Sequence, residues 1–277
     1  TRNAGLFQRD ALVAEHVLER IPWPLHGSTP ESTARARAEI AAVRYDVALI
    51  ATEEPEGFAL AAPIPTRVGF TTGWARPLKS LWVRARTTRI VDRSQHLGGD
   101  AAHEVEVLYR LGVGLVTEPA PPRETARLRA LLAGEARRRE DYIVLQAGPK
   151  WRATGVLDAV LAEIVARLDP YAVRVVCAPG EAQDVRRTLG VDGETFDDLA
   201  RWVALLDAAR LVVTVDSGAA HVAGMLGTPV VDVFPDEHFG PQVERWRPWA
   251  APYRALRASQ TNGGGGRALV EAVLDGF

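Results

Sequence analysis

Residues 211–235 read LVVTVDSGAAHVAGMLGTPVVDVFP, and the order of residue types in that stretch decides the fold. The apolar run Leu211–Val215 has strand length and ends at Asp216-Ser217-Gly218. Small residues from 219 to 226 follow, with His221 in the first turn of a segment that reads as a helix. Gly227-Thr228-Pro229 breaks it, and a second apolar run, Val230–Phe234, leads to Pro235. The pattern is buried strand, tight turn, helix, turn, buried strand. Asp216 or Ser217 can cap the helix through a side-chain oxygen, and Gly227 with Pro229 supplies the stop. A helix start at the carboxyl edge of a parallel sheet presents unpaired N–H groups and a positive pole, which attract phosphate.

The same alternation extends on the amino-terminal side back to residue 142. Strand YIVLQAG precedes a helix over 154–168, strand AVRVVCA a helix over 181–189, and a helix over 196–209 leads into the first-quoted unit. Strands alternating with helices mean βαβ crossovers and a parallel sheet covered on both faces. Four glycines, 263–266, precede a last short helix from Arg267. Upstream, the proline cluster 119–122 and the charged stretch after it divide the chain, and the boundary is placed at 138/139. Before it, strands are expected at YDVALIA (45–51) and RVGF (67–70), and helices at 31–43, 56–62, 75–86 and 100–111.

Bulk properties agree with two α/β domains. A chain of 277 residues suits two cores of about 130 to 150 residues each. It is 47% hydrophobic and 25% charged with formal net charge -2, which gives no sign of nucleic-acid binding. Its one cysteine, Cys177, excludes an internal disulfide and a cysteine-based metal cluster, and suits a reducing, cytoplasmic compartment. No apolar segment approaches the ~18 residues of a membrane span. The opening TRNAGLFQRD has neither an initiator methionine nor a signal-peptide pattern, which leaves two expectations open, a piece of a longer product or a degenerate chain.

Three constellations fall at strand ends. Asp216, Ser217, Gly218, Ala219 and His221 can form a diphosphate cradle: Gly218 and the alanines let backbone amides approach a ligand, and the helix pole should keep His221 neutral until an anion arrives. Asp216, being an anion, suits capping or a sugar hydroxyl. A plain cap with small packing residues explains the same spacing equally well. Gly148 and Lys150 follow strand YIVLQAG, where a lysine can neutralise phosphate or simply be solvated. Glu181, after AVRVVCA, can accept from ribose hydroxyls or serve the dipole of its own helix. A further group, Arg67, Arg76, Lys79, Arg84, Arg86, Arg89 and Arg93 with Trp74 and Trp82 interleaved, has Asp92 as its only acid between Gly57 and Gly99. It suits an anionic acceptor or an anionic membrane surface, and a solvated helix face accounts for it as well.

Taken together these residues resemble glycosyltransferase family 9, the ADP-heptose:lipopolysaccharide heptosyltransferases. TVDSGAAHVAGMLGTPVVDVFP is similar to that family's donor-loop signature, ETFDDLARWVALLDAARLVVTVDSG to its lead-in, and YIVLQAGPKW to the opening of its second domain. The resemblance implies a GT-B architecture of two Rossmann-like domains with parallel sheets, the first (1–138) on the acceptor side and apparently incomplete, the second (139–277) holding the donor. It implies that Asp216, Ser217, Gly218, Ala219 and His221 line the donor diphosphate and sugar, with Gly148 and Lys150 at phosphate, Glu181 at ribose, and the final helix returning towards the first domain.

The activity implied is transfer, with inversion, of a heptose-like sugar from a nucleoside-diphosphate donor, ADP-linked, to an anionic glycolipid or lipopolysaccharide-type acceptor. No cofactor or metal is expected, and the place is the cytoplasm or the inner face of the membrane. The sequence departs from the family in having no strand and Gly-Asp loop before Tyr45, where the general base is taken to lie. Gly99-Asp100 has the wrong context, Glu53 and Glu54 could substitute, and the catalytic residue stays unassigned. Two other readings remain: a non-catalytic nucleotide-sugar binding protein and a GT-B-like sugar-nucleotide epimerase.

Overall fold

The computed structural model describes residues 6, 29–52, 54–93, 102–132, 134 and 138–275. They form two compact units, the chain passing from one to the other after Pro121.

In the first unit, α1 (Pro30–Val43) begins with a reciprocal cap between Thr29 and Ser32 and buries Ala36 and Ile40. Then come β1 (Val47–Ile50), α2 (Pro55–Ala61), β2 (Thr66–Thr71), a 3-10 turn Gly73–Ala75, α3 (Pro77–Arg84), β3 (Arg89–Asp92) and α4 (Glu104–Tyr109). The three strands pair in parallel in the order β1-β2-β3. Strand β3 was not anticipated. Its run RIVD is short, starts and ends on charged residues, and is exposed at both ends, so it lacks the apolar signature of a buried strand.

The second unit starts earlier than expected. Helix α5 (Thr125–Arg129) belongs to it because Leu128 and Leu132 are buried, Leu132 within a core that includes Leu206 and Val212. Arg129 also forms a 2.8 Å ion pair with buried Asp207 and donates to the Leu226 carbonyl. A charged stretch thus lies against the second core because its arginines have a buried acid and helix-end carbonyls to meet.

The rest of the unit is β4 (Ile143–Gln146), α6 (Lys150–Thr154), α7 (Asp158–Leu168), β5 (Val173–Val176), α8 (Ala182–Leu189), α9 (Leu199–Ala208), β6 (Leu211–Val215), α10 (Gly218–Leu226), β7 (Val230–Phe234), α11 (Phe239–Trp246), β8 (Tyr253–Arg257), α12 (Ala258–Asn262) and α13 (Arg267–Leu274). All five strands are parallel, in the order β5-β4-β6-β7-β8. Every residue of β6 and β7 is buried, as continuous apolar runs in a doubly covered sheet should be. One face packs Ile164, Leu168, Val213, Val231 and Leu269, the other Leu206, Val212, Ala220, Ala223 and Val230.

The structure corrects several expectations in this unit. The helix expected over 154–168 begins at Asp158, as α7, and is preceded by the separate short helix α6, which Gly155 ends at φ 102°. Lys150 is therefore the first residue of a short helix rather than part of a loop. Helix α11 and strand β8 were not foreseen. Strand β8, YRALR, is a polar edge strand and carries little apolar signal. The final helix, α13, packs into the second unit's own core, where Leu269, Ala272 and Val273 are buried with Ile164 of α7.

Candidate functional site

The strand order of the second sheet fixes where a ligand can bind. Chain order reverses between β4 and β6, so the loops leaving their carboxyl ends diverge to opposite faces and open a crevice between them. An open hollow of about 170 Å³ lies there, lined by Gln146, Gly148, Lys150, Glu181, Thr214 and Ser217, among others. Three loops named from sequence, those after β4, β5 and β6, thus converge on one place.

Ser217 builds the cradle's edge. It is the N-cap of α10, its Oγ accepts from the Ala219 amide at 3.3 Å, and it pairs with Thr214 Oγ1 at 2.8 Å. Thr214 Oγ1 in turn donates to the Val215 carbonyl, so the hydroxyl proton between the two side chains comes from Ser217. The His221 amide donates to the Ser217 carbonyl at 3.3 Å. The Gly218 and Ala220 amides have no acceptor among the described residues, as the first turn of a helix leaves them. A Cβ built on Gly218 would meet nothing within 4 Å, so that side of the turn is open. Ala219 is 2% exposed and contributes only its backbone.

Asp216 links two of the predicted residues. Its Oδ2 lies 3.8 Å from Lys150 Nζ and its Oδ1 3.6 Å from His221 Nε2. Burial lowers the pKa of His221 below 6.5, Asp216 opposes that shift and Lys150 adds to it. The neutral imidazole foreseen from the helix pole is therefore present chiefly because of burial, beside the ring of Trp246 at 6.1 Å.

Gly148 and Glu181 touch. Gly148 has φ 146°, and a Cβ built on it would lie 2.7 Å from Glu181 Oε2. That carboxylate also accepts from the Ala178 amide at 3.3 Å, which holds it at the mouth of the hollow. Arg152, by contrast, is tied to Asp158 and Asp184 and points its charge away from phosphate duty.

Sequence reasoning missed Gln146, Thr214 and Asp232. The Gln146 amide is braced by Trp202 Nε1, which donates to Oε1 at 3.2 Å, while Trp151 Nε1 donates to the Gln146 carbonyl at 2.7 Å. Asp232 is 0% exposed and neither carboxyl oxygen has a hydrogen-bond partner. Burial raises its pKa well above 3.8, with Asp216 adding and Lys150 opposing, so it is held as the neutral acid. An acid inside the five-residue run VVDVF was the signal available for it.

In the first unit less is described. Glu54 is exposed, at the start of α2, and makes no side-chain cap; Glu53 and Gly99-Asp100 lie outside the described residues. Among the described residues no group of three or more His, Cys, Asp or Glu side chains is placed to hold a metal ion, and no helix is long and apolar enough to cross a membrane.

Comparison with known proteins gives the same direction. Residues 175–264 match the model of glycosyltransferase family 9 (heptosyltransferase). Lipopolysaccharide heptosyltransferase 3 of Escherichia coli is 27% identical over 230 residues, covering 75% of this chain and 63% of that protein. The chain thus spans less than two thirds of that curated relative. Among solved structures, E. coli ADP-heptose lps heptosyltransferase II has a TM-score of 0.62 at 16% identity, over 88% of this chain and 80% of that one. E. coli heptosyltransferase WaaC with ADP-2-deoxy-2-fluoro heptose has a TM-score of 0.61 at 18% identity, over 89% and 79%. These structures carry the fold likeness alone, α/β of the GT-B type with two parallel sheets. Residues 175–264 are thus similar to glycosyltransferase family 9, and the chain as a whole shares the fold of the solved heptosyltransferase structures.

Proposed function

We propose that the protein transfers a heptose-like sugar from an ADP-linked donor to a hydroxyl of an anionic glycan or glycolipid, with inversion at the anomeric carbon. The observation that carries this reading is the convergence at one sheet edge of the open α10 start, Lys150, His221 and Glu181. A diphosphate placed there meets the Gly218 and Ala220 amides and competes with Asp216 for Lys150. Glu181 is placed for the ribose hydroxyls. As the anomeric bond breaks, negative charge grows on the leaving diphosphate, and the helix pole and Lys150 stabilise that charge more than the ground state. His221, neutral beforehand, gains affinity for a proton as the anion arrives and adds a donor where the charge develops. The acceptor proton goes to a base that no described residue is assigned to. Support for the donor class comes from the relatives: the WaaC structures are of complexes with ADP and with a fluorinated ADP-heptose.

Isothermal titration with ADP, ADP-heptose and UDP-N-acetylglucosamine tests the donor, and a transfer assay on heptose-free lipopolysaccharide core tests the reaction. Tight ADP binding with transfer is the expected result. Binding without transfer would make the protein a nucleotide-sugar binder, and isomerised donor without transfer would make it an epimerase. No binding of any nucleotide would remove the donor reading altogether.

A further inference from the structure

We propose that the outer face of α3, with Leu78 and Leu81, together with Trp74 of the turn before it, is the surface by which this protein seats on an anionic lipid bilayer. The inference goes beyond the donor reading and does not depend on it.

Helix α3 is apolar on two sides. Its inner side is satisfied: Val83 and Ser80 are buried, and Trp82 packs edge-on against Phe58 with ring centroids 4.9 Å apart. Its outer side is not. Trp74, in the 3-10 turn just before the helix, and Leu78 and Leu81 on it are 92%, 83% and 66% exposed, and Leu78 and Leu81, with exposed Ala85 next in line, follow one helical stripe. Trp74 is held in this position by a pinned turn. Ser80 Oγ donates to the Gly73 carbonyl at 2.8 Å, the Ala75 amide donates to the Thr72 carbonyl, and Gly73 takes φ 54°. Single exposed leucines are ordinary on a protein surface, but an exposed tryptophan on a pinned turn beside two exposed leucines of one helix face marks a contact surface.

Charge selects the partner. No acid occurs from Gly57 to Val91, while Arg84 and Arg86 are exposed at the end of α3. The Arg86 guanidinium lies 4.0 Å from the Trp82 ring centre and donates to the Trp82 carbonyl, so its charge is fixed beside the stripe. An indole and leucines between arginines, with no carboxylate nearby, match the boundary between headgroups and acyl chains of an anionic leaflet. A second copy of the chain fits poorly, because a two-fold contact through this face sets arginines against arginines.

Flotation with phosphatidylcholine vesicles, with and without phosphatidylglycerol, tests the proposal on the whole chain. Wild type is expected to float with the anionic vesicles and to stay behind with the neutral ones. The combined change Trp74→Ser, Leu78→Ser, Leu81→Ser should weaken partition about tenfold or more, and Arg84→Glu with Arg86→Glu should do likewise by charge. Trp74→Ser alone, at an almost fully exposed position, leaves folding intact and should weaken partition about threefold. Far-UV circular dichroism checks the fold of each variant. Wild type that ignores anionic vesicles, or a Trp74→Ser protein that floats as wild type does, overturns the proposal. So does a wild-type dimer that the triple change converts to monomer, which would assign the face to self-association.

Discussion

Asp232 lies directly across from Thr214 in the parallel pair β6–β7. Val212 and Val230, two residues earlier in each strand, pack in the core that includes Ala220 and Ala223 of α10, so by the two-residue period of a strand both polar side chains point to the same side of the sheet as that helix. Thr214 has partners there and Asp232 has none.

That contrast has a consequence for stability. The folded state holds Asp232 protonated, whereas the unfolded chain ionises it above about pH 3.8, so folding takes up a proton and loses stability as pH rises from there towards the raised value. Asp232→Asn should therefore flatten the alkaline limb of the stability curve. Asp232→Val, which removes both unpaired oxygens, should stabilise the protein at neutral pH by about 1–3 kcal/mol. Urea midpoints between pH 4 and 9 measure both; a valine variant less stable than wild type would mean the acid has a partner that matters.

His221 should report on Asp216 and on bound anion. Its pKa lies below 6.5, and Asp216 is the influence that raises it, so Asp216→Asn should move it lower still and a bound ADP-sugar should move it up. Proton NMR of the imidazole measures the shifts directly. By linkage, affinity for an ADP-sugar, whose phosphates do not titrate in that range, should increase as pH falls through the His221 region. His221→Asn should abolish that slope, and a slope that survives it places the proton elsewhere.

Lys150→Ala should weaken ADP binding by about tenfold, as expected for one charge-assisted contact to phosphate. Thermal stability should barely change, because the 3.8 Å pair with Asp216 is exposed on the lysine side. Titration calorimetry and a melting curve on the same sample separate the two effects, and an unchanged affinity would remove Lys150 from the site.

Gly148→Ala should fail twice. The new Cβ would need φ 146° and would stand 2.7 Å from Glu181 Oε2, so about 1–3 kcal/mol of stability should be lost and the carboxylate should be displaced. Shortening the acid in Gly148→Ala/Glu181→Ala removes the clash and should recover part of the stability but none of the nucleotide affinity. Recovery of both would show that Glu181 has no role in binding.

The second unit was legible where its residues obey local rules. Strands β4, β6 and β7 are apolar runs because they are covered on both faces, and α10 is bounded by a serine cap and Gly227 at φ 71°. The convergence of Gly148, Lys150, Glu181 and Ser217 followed from placing their loops at one sheet edge. Edge strands β3 and β8 escaped notice because half-exposed strands carry mixed residues. The early start of the second unit escaped because the arginines holding α5 look, in sequence, like any solvated charges.

Chain order and residue type by themselves determined the βαβ alternation and the capped turn after β6, since backbone geometry at strands, caps and glycines depends on near neighbours. Only the tertiary structure decided that β4 and β6 are adjacent, that Asp216 stands between Lys150 and His221, that Asp232 is buried without a partner, and that α3 turns a second apolar stripe outward. Those four facts depend on which distant segments meet and on how much water remains between them, and neither quantity is written in any local stretch of the chain.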